Sequence, residues 1–289
     1  ADLFFNKPFD CMAFAAAVGK ILGFAEAPEL PQPPAPPLVA TILRGCVVLE
    51  TVDLWLVFDA GKGLVDWMAK QQRPSPLAWV LMSRFQPDSV SDAAAVGRLL
   101  AAGGRVNVAG PDDPDSLLQR LAPYMCGNRA GGGRVAPLLY PQREGEFSLG
   151  PGVRAVTRLT QHPGPCLAYR IEIQGRRIVY CPANEINPEM ESWNKHEHEK
   201  FRDLFEDADL LIHGYRRSLE DEAPKDSFGR GTWEPVIDLA VAAQVKRLVL
   251  FPIAGATSPE GLQARVETRL ASRSSSLPCS VNRSDERLI

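Results

Sequence analysis

Trp79 to Asp92, WVLMSRFQPDSVSD, is the stretch from which the fold can be read. The apolar run Leu77 to Met82 has the length and composition of a buried strand. It opens into a polar loop, Ser83-Arg84-Phe85-Gln86-Pro87-Asp88-Ser89, and the chain leaves that loop in an alanine-rich helical segment. Upstream, Leu54 to Ala60 (LWLVFDA) is a second apolar strand, closed by Asp59-Ala60-Gly61.

Bulk properties narrow the function classes. A chain of 289 residues at 45% hydrophobic content can bury one large core or two modest ones. A net charge of -3 gives no electrostatic case for a nucleic-acid or membrane partner. No apolar stretch reaches the ~18 residues of a membrane span, and the opening Ala1-Asp2 is not that of a signal peptide. Cys11, Cys46, Cys126, Cys166, Cys181 and Cys279 are scattered without a C-x-x-C spacing. That pattern argues for reduced thiols and a cytoplasmic protein.

A strand closing on Asp-Ala-Gly, followed by a strand opening into a seven-residue loop with Asp sixth, resembles the metallo-β-lactamase superfamily. The resemblance implies an α/β fold, an αββα sandwich. In that family the loop carries histidines and an aspartate, because borderline-soft divalent ions are held by neutral imidazoles and carboxylate. Here Arg84, Gln86 and Ser89 stand at the histidine positions, and Asp88 alone is retained.

The second half extends the resemblance. Val153 to Leu159 reads as a strand leading to Gln161-His162-Pro163-Gly164. Tyr169, Ile171 and Ile173 alternate before a turn at Gln174-Gly175, which makes LAYRIEIQGRRIVYC a hairpin. Asp209 to His213 is a buried strand, and Thr232-Trp233-Glu234 and Leu250-Phe251-Pro252 follow in order. From about Leu38 to Leu262 these motifs are similar to hydrolases of the superfamily related to cyclic-nucleotide phosphodiesterases, some of which follow receiver domains.

Residue by residue, the resemblance implies a stripped metal site. His162 matches a metal-binding histidine, but Ala183 stands where a bridging aspartate is expected, Arg230 for a histidine, and Pro252 for the last histidine. Asp88 and His162 are the remnant ligand positions, and two donors fall short of the three that an activated metal-bound water needs. Each also has a plain structural reading: an ion pair or helix cap for Asp88, a loop-carbonyl bond for His162. A vacated cleft leaves Arg84, Gln86, Asp88, Ser89, His162, Asn184 and Arg230 as candidate binding residues. Either an arginine pairs with Asp88 and fills the hole, or Arg84 and Arg230 bind an anion with their fixed fork of donors.

The other candidates read as structure. His196 and His198 alternate along a helix and do not share a face, and the charged run from Glu189 to Asp207 reads as a solvated helix. His213 reads as a core residue at a strand end. Gly127 to Arg134 (GNRAGGGR) lacks the Lys-Ser/Thr and the strand-helix flanks of a P-loop, so it reads as a floppy surface loop.

At the start, a short strand, Lys7-Pro8-Phe9-Asp10 and an amphipathic helix through Leu22 resemble the last strand and helix of a response-regulator receiver domain. The expected organisation is therefore a receiver-like remnant at 1–27, whose phosphoacceptor would lie upstream, and a polyproline spacer at 28–37 (PELPQPPAPP). A degenerate metallo-β-lactamase-like domain follows at 38–270, then a polar tail at 271–289. The function implied is a catalytically degenerate output or binding domain of a response regulator, with no cofactor. Its partner would be a protein or a small anionic ligand, with a homo- or heterodimer also open. The alternative is a phosphodiesterase-like hydrolase using Zn, Mn or Fe through a non-standard site.

Overall fold

The computed structural model describes residues 37–71, 77–187, 193–216, 231–253 and 261–281, together with the backbone of 286–287. The receiver-like stretch 1–27, the spacer up to residue 36 and Arg230 lie outside the described residues.

Strands β1 (Val39–Ile42), β2 (Val47–Glu50) and β3 (Trp55–Phe58) form an antiparallel meander. Helix α1 (Leu64–Ala69) carries the chain to β4 (Leu77–Leu81), and α2 (Pro87–Val90) with α3 (Ala94–Ala101) carries it to β5 (Arg105–Pro111). Both strands run parallel to their predecessor, as a helical crossover requires. Helix α4 (Leu117–Leu121) and a ribbon of β6 (Gly127–Asn128) and β7 (Arg134–Val135) then lead to β8 (Leu138–Gln142), parallel to β5.

The second half repeats the scheme. Strands β9 (Gly145–Gly150), β10 (Val153–Leu159), β11 (Leu167–Ile173) and β12 (Arg176–Cys181) are antiparallel neighbours. Then α5 (Lys195–Phe205), β13 (Leu210–Tyr215), α6 (Trp233–Ala242), β14 (Leu248–Pro252), α7 (Leu262–Ser272) and β15 (Cys279–Val281) follow, with the three strands parallel. Strand β16 (Glu286–Arg287) returns to pair with β1, so each sheet has seven strands.

The side-chain pattern dictates the layers. Every residue of β3 is buried, so both of its faces are covered. Leu56 and Phe58 point to one side, where they meet Tyr169, Ile171, Ile178 and Ile212 of the other sheet. Val57, Val80 and Val108 point outward against Leu64, Trp67, Val96 and Leu99 of the helices. The second sheet does the same with Val179, Leu211 and Leu250 against Phe201, Phe205, Val236 and Val266. The result is helix, sheet, sheet, helix.

Three expectations need correction. The GNRAGGGR stretch is not simply a floppy loop: it forms the β6/β7 ribbon, packed on α3 through a glycine pair. A Cβ on Gly97 would lie 2.2 Å from the Cys126 carbonyl oxygen, and one on Gly127 would lie 2.0 Å from that of Gly97. The helix within Glu189–Asp207 is not fully solvated, since Phe201, Leu204 and Phe205 are buried. The stretch read as a polar tail contributes β15 and β16, one strand to each sheet.

Candidate functional site

The ends of β3 and β4 meet at Asp59. Its backbone takes the left-handed conformation (φ 61°), unusual for a residue with a side chain. Its N–H donates to the Leu81 carbonyl at 3.0 Å, bridging the two strand ends. The side chain is buried and accepts from the Ser83 N–H (2.7 Å), the Ser83 hydroxyl (2.7 Å) and the Tyr180 hydroxyl (2.8 Å). Burial pushes its pKa up to about 6, although the neighbouring Arg84 charge and these donors pull it down.

The loop after β4 is tied back to the one after β3. Ala60 N–H donates to the Ser89 carbonyl at 2.8 Å, and Asp92 N–H to the Ala60 carbonyl at 2.7 Å. The Asp92 carboxylate accepts from the N–H groups of Gly63 and Val65 at 3.1 and 3.2 Å, closing the start of α1. Two glycines make this possible. A Cβ on Gly61 would stand 2.0 Å from the Gly45 carbonyl oxygen and 2.5 Å from that of Asp88.

Arg84 crosses the space between the loops, with its side chain 5% exposed. Its Nη2 donates to Asp88 Oδ2 at 2.6 Å, and its Nε to Gln86 Oε1 at 3.2 Å. That second bond fixes the Gln86 oxygen as acceptor, so its Nε2 must donate to His162 Nε2, 3.3 Å away. His162 Nδ1 lies 3.1 Å from the Gly164 carbonyl oxygen and 3.2 Å from the Gly164 amide nitrogen, so it can donate to the first or accept from the second. Burial lowers the His162 pKa, in keeping with a neutral imidazole. Burial also works against the charge on Arg84, but the Asp59 and Asp88 carboxylates outweigh it and the pKa is raised.

The candidate residues thus fall into groups. Arg84, Gln86, Asp88 and His162 form one hydrogen-bonded chain. Ser89 is buried beside it, with its hydroxyl 3.4 Å from Asp88 Oδ1. Asn184 lies apart: its Oδ1 accepts from Gln161 N–H at 2.9 Å, and its buried Nδ2 has no partner among the described residues. His213 is buried, with Nδ1 2.7 Å from the Gly214 carbonyl oxygen, and burial lowers its pKa to about 4. His198 lies edge-on to Trp193, and His196 is exposed.

Several residues of the site escaped the sequence reading. The cleft at this rim, about 410 Å³, is walled by Arg44, Lys62, Arg84, Asp88, Pro252 and Ile253 among others. Arg44 and Lys62 belong to no motif in the sequence, and Asp59 reads there only as a strand terminus. Their one signal was a cation beside a glycine in each of two turns, Arg44-Gly45 and Lys62-Gly63.

Among the described residues, the donors at this rim do not fit a divalent metal. Asp88 is neutralised by a guanidinium, and the free imidazole nitrogen of His162 is taken by Gln86. Among the described residues no group of three or more His, Cys, Asp or Glu side chains is placed to hold an ion, whereas such a site needs three or four convergent donors. No helix of the described residues is long and apolar enough to cross a membrane.

No family model and no curated protein matches the sequence. Solved structures do match by shape. The metallo-β-lactamase fold protein YhfI from Bacillus subtilis superposes with a TM-score of 0.66 at 17% identity, over 87% of this chain and 98% of its own. This chain has the metallo-β-lactamase fold. The human short-form tRNase Z shows the same metallo-β-lactamase architecture, with a TM-score of 0.59 at 14% identity, covering 88% of this chain and 99% of that one. Yeast PDE1 gives 0.60 at 9% identity, covering 88% and 100%. At such identities it is the metallo-β-lactamase scaffold that is shared, and the chemistry must be argued from the site.

Proposed function

We propose that this chain is a metal-free binding domain on a metallo-β-lactamase scaffold, serving as the output unit of a cytoplasmic signalling protein. The observation that carries the reading is the ion pair of Arg84 with Asp88 at 2.6 Å, where a resident metal would need that carboxylate. The guanidinium stands against Asp88 in place of an ion, without coordination and without an activated water. The receiver-like Lys7-Pro8 stretch supports the signalling role on sequence grounds alone.

The competing reading is a metal-dependent hydrolase; three of the matched structures are described as a metallo hydrolase, a possible metal-dependent hydrolase and an isothiocyanate hydrolase. Assaying bis(p-nitrophenyl) phosphate cleavage with added zinc, manganese or iron separates the two. The binding reading expects no turnover above buffer with any ion. Metal-dependent turnover that disappears in Asp88→Ala would overturn it.

A further inference from the structure

Two cations at the rim have no role in the chain of hydrogen bonds just described. Arg44, in the turn between β1 and β2, and Lys62, before α1, are both exposed and have no ion-pair partner among the described residues. The Gly45–Gly61 contact holds their two turns together. A Cβ on Gly45 would lie 2.9 Å from the Lys62 backbone nitrogen. Backbone packing thus fixes the two turns from which their exposed side chains project.

We propose that the cleft between Arg44 and Lys62 receives a small organic dianion, such as a phosphomonoester or a dicarboxylate. Its charged end would lie at these two cations and its apolar part against Pro87, Pro252 and Ile253. This rests on the reading of the cleft as a binding site and deepens it.

Charge and size both support the assignment. The cleft sets three cations (Arg44, Lys62, Arg84) against two carboxylates (Asp59, Asp88). Arg84, almost wholly buried, is already matched by Asp88 and Asp59, so the charge open to a ligand is that of Arg44 and Lys62. The lining as a whole carries a net charge of +1; what matches a dianion is local, the two cations Arg44 and Lys62 that have no ion-pair partner among the described residues. The volume of about 410 Å³ lies in the range of small-ligand sites, with mixed polar and apolar walls. Arg44 and Lys62 also border an adjoining groove with Asp66 and Lys70, but that groove is only about 280 Å³ and has no buried cation.

The test is calorimetric titration of the chelator-treated full chain with phenyl phosphate, phthalate and phenol. Phenyl phosphate, phthalate or both are expected to bind at one per chain, and phenol not to bind. Affinity should fall at least about tenfold in Arg44→Ala/Lys62→Ala, as expected for losing two charge-assisted contacts, and stay unchanged in Lys70→Ala. Both changes are at exposed side chains, and an unaltered melting temperature would confirm folding. Equal binding of phenol, full affinity in the double variant, or loss in Lys70→Ala would overturn the proposal. Silence from both anions would also overturn it, while leaving the metal-free reading intact. Anion binding that appears only on adding zinc or manganese would instead sink the metal-free reading.

Discussion

At the scale of single residues, the site is held by charges that burial opposes. Arg84 offsets both Asp59 and Asp88, so Arg84→Leu leaves two carboxylates without their cation. We expect a loss on the order of 2–3 kcal/mol by urea denaturation, less than for a fully buried pair because Asp88 reaches solvent. Asp59 and His213 act on stability in opposite senses. The Asp59 pKa is raised to about 6, so its contribution is complete below pH ~4 and is lost as pH rises through 6. The His213 pKa is lowered to about 4, so its contribution is complete above pH ~6.5 and is lost as pH falls toward 4. Between these limits the two offset each other. Asp59→Asn removes one slope. Relative to wild type, the variant should lose on the order of 3 kcal/mol as pH falls from about 7 to 4, read from denaturation midpoints at each pH. A difference that does not change with pH would contradict the buried-carboxylate account.

At the scale of elements, the rim depends on backbone contacts that no side chain could replace. Gly61→Ala drives a methyl into the carbonyl oxygens of Gly45 and Asp88. The expected outcome is destabilisation of more than about 2 kcal/mol, together with weaker anion binding as the Arg44 turn moves, both measurable on one purified variant. The strands ending at Phe58 and Leu81 and the Leu167–Cys181 hairpin are legible because each is an apolar run or clean alternation bounded by turn residues. Gln174 and Gly175 both take positive φ, as that tight turn requires. Strand β8 was missed because Leu138 and Tyr140 are exposed and Pro141 interrupts the run, which an edge strand tolerates. The Arg84–Asp88 pair could be anticipated from its local spacing. Arg44 and Lys62 could not, because only the sheet brings their turns together.

At the scale of the whole molecule, the two seven-stranded sheets each set four antiparallel strands beside three parallel ones, and their inner faces share one core. The C-terminal residues complete both sheets. Removing 274–289 uncovers the edges of β14 and β1, and should lower the melting temperature and promote association through the exposed strands. The central claim is that this scaffold carries recognition without a metal. Zinc titration into the chelator-treated chain, followed by calorimetry, tests it most directly. The account predicts no saturable uptake tighter than roughly micromolar, since Asp88 is held by Arg84 and His162 by Gln86. Uptake of one zinc per chain below that concentration, abolished by Asp88→Ala, would contradict it.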